Sequence, residues 1–219
     1  MPRAVKPAAG AATRETAGTA AAILDVAERM VQVRGFNGFS YADVAAELGV
    51  TTASLHYHYR GKAELGDALI RRYTSRFADA LEGIERDAGN AAAKLEAYAR
   101  IYADVLRDGR MCLCGMLAAD YATLPDTMRA SVVKFFDANE RWLVRVLEQG
   151  VEEGTIAFEG RAAEVAQSIV SGLEGAMLVA RPYGDAARFA AAAERLLSGL
   201  SLAVPNVAVR RASRARRTG

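Results

Sequence analysis

Apolar positions in this chain recur every three to four residues, Ala is abundant, and runs of alternating β-branched residues are absent. That is the period of helices packed on one face, not of strands. Ile23, Leu24, Ala27, Met30 and Val31 stand at i, i+1, i+4, i+7 and i+8 and mark the first helix. Gly35 stops it, as a left-handed C-terminal cap does. Ser40 can N-cap a second helix, with Asp43 three residues on in a capping-box-like arrangement. Val44, Ala45 and Leu48 form its inner face. Gly49 supplies a turn, and Thr51 caps a third helix that runs to about Tyr59.

The same period continues to the end of the chain. A long helix is predicted from Gly61 to about Gly83, with Leu65, Ala68, Leu69 and Phe77 on its apolar side. Gly89-Asn90 breaks it from a helix over Ala91 to Leu106. After the connection Arg107-Asp108-Gly109-Arg110 comes a short apolar helix around Leu113–Tyr121. Pro125 suits the first turn of the next helix, which reaches Glu153 before Gly154. Glu164 to about Val179 form another, stopped by Pro182 and Gly184, and Asp185 caps a last one ending near Ala203. The expected fold is all-α, with about nine helices. A three-helix unit over residues 14–61 precedes a larger bundle over 62–204. Residues 1–13 and 205–219 are expected to be disordered, the latter as a basic tail.

Composition narrows the class. With 219 residues, 52% hydrophobic and 25% charged, the chain can bury a sizeable core. No window approaches 18 uncharged apolar residues, so no membrane span is expected. The N-terminus lacks a continuous apolar region of the signal-peptide kind. Cys112 and Cys114 are the only cysteines and make no disulfide framework. A cytoplasmic, reduced protein is expected. The overall charge of +2 is spread unevenly: +1 over residues 1–65, −4 over 66–204 and +5 over 205–219. That distribution places any nucleic-acid contact at an end of the chain.

The third helix carries the sharpest signal. Its outer residues are hydroxyls, a small Ala, two His and two Tyr, with almost no bulky charge. A helix of that kind can enter a DNA major groove. Thr51, Thr52, Ser54, His56 and His58 can exchange hydrogen bonds with base edges, and the Ala53 methyl can touch a thymine methyl. Tyr57 and Lys62 suit phosphate oxygens. The N-terminus of the second helix, near Ser40, offers a further phosphate site. His56 and His58 stand at i, i+2 and point apart, so no metal site is expected. No cofactor is implied either. Glu-x-x-His pairs, a Gly-rich phosphate loop and a nucleophile elbow are all missing from the sequence, which argues against an enzyme or metal carrier.

The stretch from Ile23 to Leu65 resembles the DNA-binding domain of the TetR family of bacterial repressors. The matching elements are Ile23-Leu24-Asp25 with Ala27, Gly35-Phe36, Phe39-Ser40, Val44-Ala45, Leu48-Gly49-Val50-Thr51, Leu55, and Tyr59 with Lys62 and Leu65. One position departs. The family commonly has Tyr one place after the Leu55 position, where this chain has His56 followed by Tyr57. The phosphate contact given to that Tyr then passes to His56 or Tyr57.

The resemblance implies a second domain that binds a small-molecule effector and dimerises through its last two helices. Ser168, Ser171, Gly172, Gly175 and Ala176 are small residues at helical spacing that allow close helix approach. With Leu196, Leu197 and Leu200 they are the expected homodimer interface. Candidate effector-pocket residues are Phe77, Tyr98, Tyr102, Met116, Tyr121, Phe135, Asn139 and Trp142, although such stripes are commonly plain core. Cys112 and Cys114 could sense electrophiles or oxidants if Arg107, Arg110 or a helix N-terminus lowered a thiol pKa. The competing reading is two small buried hydrophobes. Arg210 to Arg217 could add non-specific DNA affinity or be only a solvated tail. The partners expected are a double-stranded, palindromic DNA operator, a second copy of the chain and an effector of unknown structure.

Overall fold

The computed structural model describes residues 9–200, with side chains from residue 18 onward. Among these residues the fold is nine α-helices and three short 3-10 turns, with no sheet. The helices are α1 (Ala9–Arg34), α2 (Tyr41–Leu48), α3 (Thr52–His58), α4 (Lys62–Asp87), α5 (Ala91–Arg107), α6 (Leu113–Ala119), α7 (Asp126–Glu152), α8 (Ala162–Ala180) and α9 (Ala186–Ser198). Three boundaries differ from expectation, and one is the end of α9, at Ser198 rather than near Ala203. α1 begins inside the stretch 1–13 that was expected to be an unfolded arm. α4 continues past Gly83 to Asp87, because Gly83 tolerates a helix interior at a modest penalty. Residues 1–8 and the basic tail 205–219 lie outside the described residues.

Local chemistry sets the helix ends of the three-helix head. Ser40 Oγ accepts from the Asp43 N–H at 3.3 Å, while the Asp43 carboxylate accepts from the Ser40 N–H at 2.7 Å. Gly49 adopts the left-handed conformation (φ 66°), where a Cβ would be strained. Thr51 Oγ1 accepts from the Ser54 N–H at 3.2 Å. Ile23, Ala27, Val31, Val44 and Leu55 are wholly buried between α1, α2 and α3.

α4 leaves the head and enters the bundle. At its start Lys62 Nζ donates to the Phe39 carbonyl at 2.5 Å and lies over the Phe36 and Phe39 rings, 4.8 and 4.2 Å from their centroids. Further along, Arg72 and Arg76 both pair with the buried Glu28 of α1. The bundle core is α4, α5, α7 and α8, with α9 closing one side. Lys94, buried on α5, ties Glu85 of α4 to Gln149 of α7.

α6 also touches both halves. The Asp120 carboxylate at its C-terminal end accepts from the Phe36 N–H at 2.6 Å. Asn37 Nδ2 donates to Thr123 Oγ1 at 2.7 Å, and the Met111 N–H donates to Gln32 O at 3.2 Å. Arg181, after α8, donates to Val33 O. Gly35 (φ 82°) is required here twice over. Its backbone is left-handed, and a Cβ would sit 2.9 Å from Asp120 Oδ2.

Candidate nucleic-acid interface and effector core

α3 presents its outer face to solvent. Thr52, Ala53, His56 and Tyr57 are exposed and Leu55 is buried, so one helix face seats the element and the other is free. Tyr57 is 78% exposed, with His58 edge-on to its ring at 5.2 Å. His56 is held more firmly. Its ring lies 4.8 Å from that of Tyr41, and Nδ1 is 3.1 Å from the Arg60 carbonyl. That contact calls for a proton on Nδ1, an assignment by hydrogen-bond logic. Nε2 is then left for an outside partner. Tyr41 is fixed in turn by donating to Tyr59 O at 3.0 Å, and partial burial raises its phenol to about 12. Tyr59 is half-buried and its hydroxyl reaches Ala20 O at 3.4 Å.

Ser40 and Thr51 are therefore caps whose oxygens already serve backbone N–H groups. Ser54 is half-buried near the same turn. Lys62 differs from its expected role as a free phosphate charge. Desolvation lowers its pKa, and its ammonium is already spent on Phe39 O and two aromatic rings. No local pattern signals this contact, because Phe39 lies 23 positions earlier.

In the bundle, six of the eight candidate pocket residues converge. Phe77 is edge-on to Tyr98 at 6.1 Å and to Phe135 at 5.2 Å. Tyr98 stacks on Trp142 at 5.5 Å and lies 5.4 Å from Tyr102. Tyr98 Oη lies 3.0 Å from Tyr102 Oη and 3.1 Å from Asn139 Oδ1, and Asn139 Nδ2 donates to Phe135 O. The other two lie elsewhere. Met116 meets Gly35 and Arg181 at the head, and Tyr121 is exposed beside Arg129. An open groove of about 460 Å³ between α5 and α9, floored by Leu95, Ala99 and Phe189, contains none of the eight.

The sequence missed a seventh member of this core. Glu174, on α8, points its carboxyl against Gly115 of α6, so closely that a Cβ there would collide with Oε2. Oε1 is sealed from solvent and has no hydrogen-bond partner among the described residues. Burial pushes the carboxyl up from its ordinary 4.5 to about 7, partly offset by the Cys112 thiol beside it. Trp142 Nε1 is likewise buried and unpartnered.

The fold places both cysteines in the core. Cys112 and Cys114 are buried, and desolvation together with Glu174 raises both thiols well above their ordinary range. Arg107 and Arg110 are engaged by Asp104 and Asp108 instead. Cys112 Sγ accepts from Tyr73 Oη and from the Gly115 N–H, both at 3.5 Å. These are core thiols, not activated ones.

The expected dimer residues divide. Ser168, Ser171 and Gly175 are exposed on α8, joined by two residues the sequence reading missed, Leu178 (58% exposed) and Val179 (57%). Gly172 and Ala176 are half-buried. Leu196 packs on Gly172 within the subunit, where a Cβ would meet Leu196 Cδ2 at 2.8 Å. Leu197 and Leu200 line the α5–α9 groove. Among the described residues no His, Cys, Asp and Glu cluster could hold a metal, and no helix is long and apolar enough to cross a membrane.

A helix-turn-helix head with an open α3 face, riding on a helical bundle with a buried polar core, defines a helical DNA-binding regulator. Residues 23–69 match the model of bacterial regulatory proteins of the tetR family, and residues 91–196 match that of tetracyclin repressor-like C-terminal domains. A TetR-family transcriptional regulator from Agrobacterium tumefaciens is 30% identical, with a TM-score of 0.82 over 85% of this chain and 99% of that one. A TetR regulator from Legionella pneumophila is 31% identical, with a TM-score of 0.72 over 82% and 96%. The transcriptional regulator AcuR of Cereibacter sphaeroides is 26% identical over 152 residues, 68% of this chain and 69% of that one. The chain belongs to the TetR family and is a DNA-binding transcriptional regulator.

Proposed function

We propose that the protein is a cytoplasmic homodimeric repressor, without enzymatic activity, released from a palindromic operator by a small molecule. The observation that carries this reading is the exposed, uncharged outer face of α3, set on a rigidly capped turn. Thr52, Ala53, Ser54, His56 and His58 read bases. Tyr57, the most exposed aromatic in the head, takes the phosphate contact in place of the pinned His56. Ser40 and Thr51 hold the helix ends while their neighbouring N–H groups face phosphate. Lys62 acts mainly by holding the turn before α2 in place. The division between reading head and effector body falls near Lys62.

Two copies dimerise through the exposed stripe of Ser168, Ser171, Gly175, Leu178 and Val179. Two-fold symmetry then sets half-sites about 34 Å apart, or a multiple of that. A ligand among Tyr98, Tyr102, Asn139 and Glu174 displaces α6, which carries Gly115 against Glu174 at one end and Asp120 against Phe36 at the other. It releases DNA only by binding the displaced arrangement more tightly.

Selection of the full-length protein on random duplexes tests this. The expected product is an inverted repeat bound by a dimer. Enrichment of no sequence, or of a single unrepeated half-site by a monomer, would overturn it.

A further inference from the structure

Glu174 is half-buried as a residue but turns its carboxyl inward, and no base meets it there among the described residues. The titratable groups around its carboxyl are Tyr73 from α4, Tyr98 and Tyr102 from α5, and Cys112 and Cys114 from α6. Glu140 of α7 acts on Tyr98 from further off. Burial holds the protons on the phenols and thiols, so all of them are neutral. No Lys or Arg among the described residues acts on the carboxyl. An isolated carboxylate in such surroundings either keeps its proton or acquires a counter-charge.

The aromatic groups that feel its charge, Tyr73, Tyr98 and Tyr102, suit one kind of counter-charge, and they belong to a larger cluster. Tyr73, Phe77, Tyr98, Tyr102, Phe135 and Trp142 form a continuous aromatic cluster with ring centroids 5.2–6.2 Å apart. Aromatic faces attract cations and exclude hydrated anions. The free oxygen Oε1 is sealed in the same interior and lacks any partner among the described residues. The core is closed to solvent here: Tyr98 and Tyr102 are 0% and 2% exposed. Its seal is α6, whose Gly115 lies directly on the carboxyl.

We infer that Glu174 is the anchor of a site for a hydrophobic organic cation, an aromatic or alkyl ammonium that displaces the carboxyl proton and supplies the missing counter-charge. This rests on the reading of the bundle as the effector domain and names the ligand class for it. The reaction is an exchange: the ammonium enters, one proton leaves Glu174 for solvent, and no covalent bond forms. The site opens by movement of α6, the element that also holds Phe36 of the head.

Trp142 is the only tryptophan of the chain and stacks within the cluster, so its fluorescence reports the site. Full-length protein is titrated with benzyltrimethylammonium and, separately, with its uncharged carbon isostere neopentylbenzene and the anion benzenesulfonate. The expected result is a saturable change with the cation alone. Affinity should rise roughly tenfold per pH unit below about 7 and level off above it, since cation and proton compete for one group. Glu174→Gln, checked by helical circular dichroism, should lose at least about tenfold in affinity and all of the pH dependence. The wild-type pH profile keeps the test open if that variant misfolds. Equal binding of the isostere, stronger binding of the anion, a flat pH profile or unchanged affinity in Glu174→Gln overturns the inference. Binding of a selected duplex is followed in the same samples. A protein that holds DNA but takes no cation overturns this inference alone, whereas one that binds no duplex overturns the proposed function. A cation that binds through Glu174 without loosening DNA overturns the site's role as effector site.

Discussion

The outer face of α3 and the core around Glu174 are the two polar regions with functional promise, and they are built on opposite terms. On α3, polarity is exposed and the spare hydrogen-bonding groups of Thr52, His56 and Tyr57 face water. Water satisfies them until another partner arrives, so holding them ready costs little stability. In the bundle, Glu174 Oε1 and Trp142 Nε1 are sealed away unmet. Each such group costs about 1–3 kcal/mol. A reading surface can thus be carried by a short helix on a small head. A buried recognition group needs a large, well-packed bundle to tolerate it, and the aromatic cluster provides that packing.

The sharpest way to break the contrast is to remove that packing. Phe135 is 1% exposed and touches Tyr73, Phe77 and Phe136. Phe135→Ala is expected to cost about 4 kcal/mol in urea denaturation. A loss under about 1 kcal/mol would mean that the cluster is loose, and that Glu174 is not held in a tight interior.

Next in size is the carboxyl itself. Its folded pKa of about 7 lies above its ordinary 4.5, so the folded state holds a proton that the unfolded chain gives up. Wild-type stability therefore falls as pH rises from about 4.5 to about 7, then levels off. Glu174→Gln has no proton to lose. Its advantage over wild type should grow between pH 4 and pH 8 by on the order of 3 kcal/mol. Denaturation midpoints at the two pH values check this, and a difference that stays constant across pH sinks it.

The two regions also differed in how much of them could be read from sequence. The capping box of Ser40 and Asp43, the Gly49 turn and the Thr51 cap involve residues three or four apart, so residue type and spacing suffice to locate them. The all-helical fold was legible for the same reason, since each helix carries its own apolar period. The Glu174 core joins five helices, with partners up to about a hundred positions away, and no local pattern marks a lone Glu on an apolar helix. Lys62 and the leucines of α9 show the same limit. Spacing puts a residue on a helix face, but what covers that face is decided by tertiary packing. Leu196 met Gly172 of its own subunit, and Lys62 met Phe39. Spacing alone also left two readings open for the cysteines, and tertiary packing decides whether Arg107 and Arg110 face a thiol or pair with Asp104 and Asp108, as they do.

Thr51→Ala tests the head at a smaller scale. It removes the oxygen that accepts from the Ser54 N–H and should cost about 1 kcal/mol. Because α3 then frays at its reading end, affinity for every duplex should fall together. A change in base preference without any loss of stability would show that Thr51 reads bases rather than caps.

The smallest effect on stability belongs to Thr52, and it is the most informative about the comparison. Thr52 is exposed at the first position of α3, and its hydroxyl makes no hydrogen bond within the described chain. Thr52→Ala also improves helix propensity slightly. The melting transition should therefore move by less than about 0.5 kcal/mol. DNA selection should nevertheless change at one position of each half-site, with about 1–3 kcal/mol of discrimination lost there and the remaining positions untouched. The result separates two kinds of polar group in one protein. If Thr52→Ala alters preference at unchanged stability, α3 is a surface whose spare groups are neutral until DNA arrives. If it alters stability but not preference, Thr52 is part of the turn's own structure, and base reading must rest on Ala53, Ser54, His56 and His58 alone.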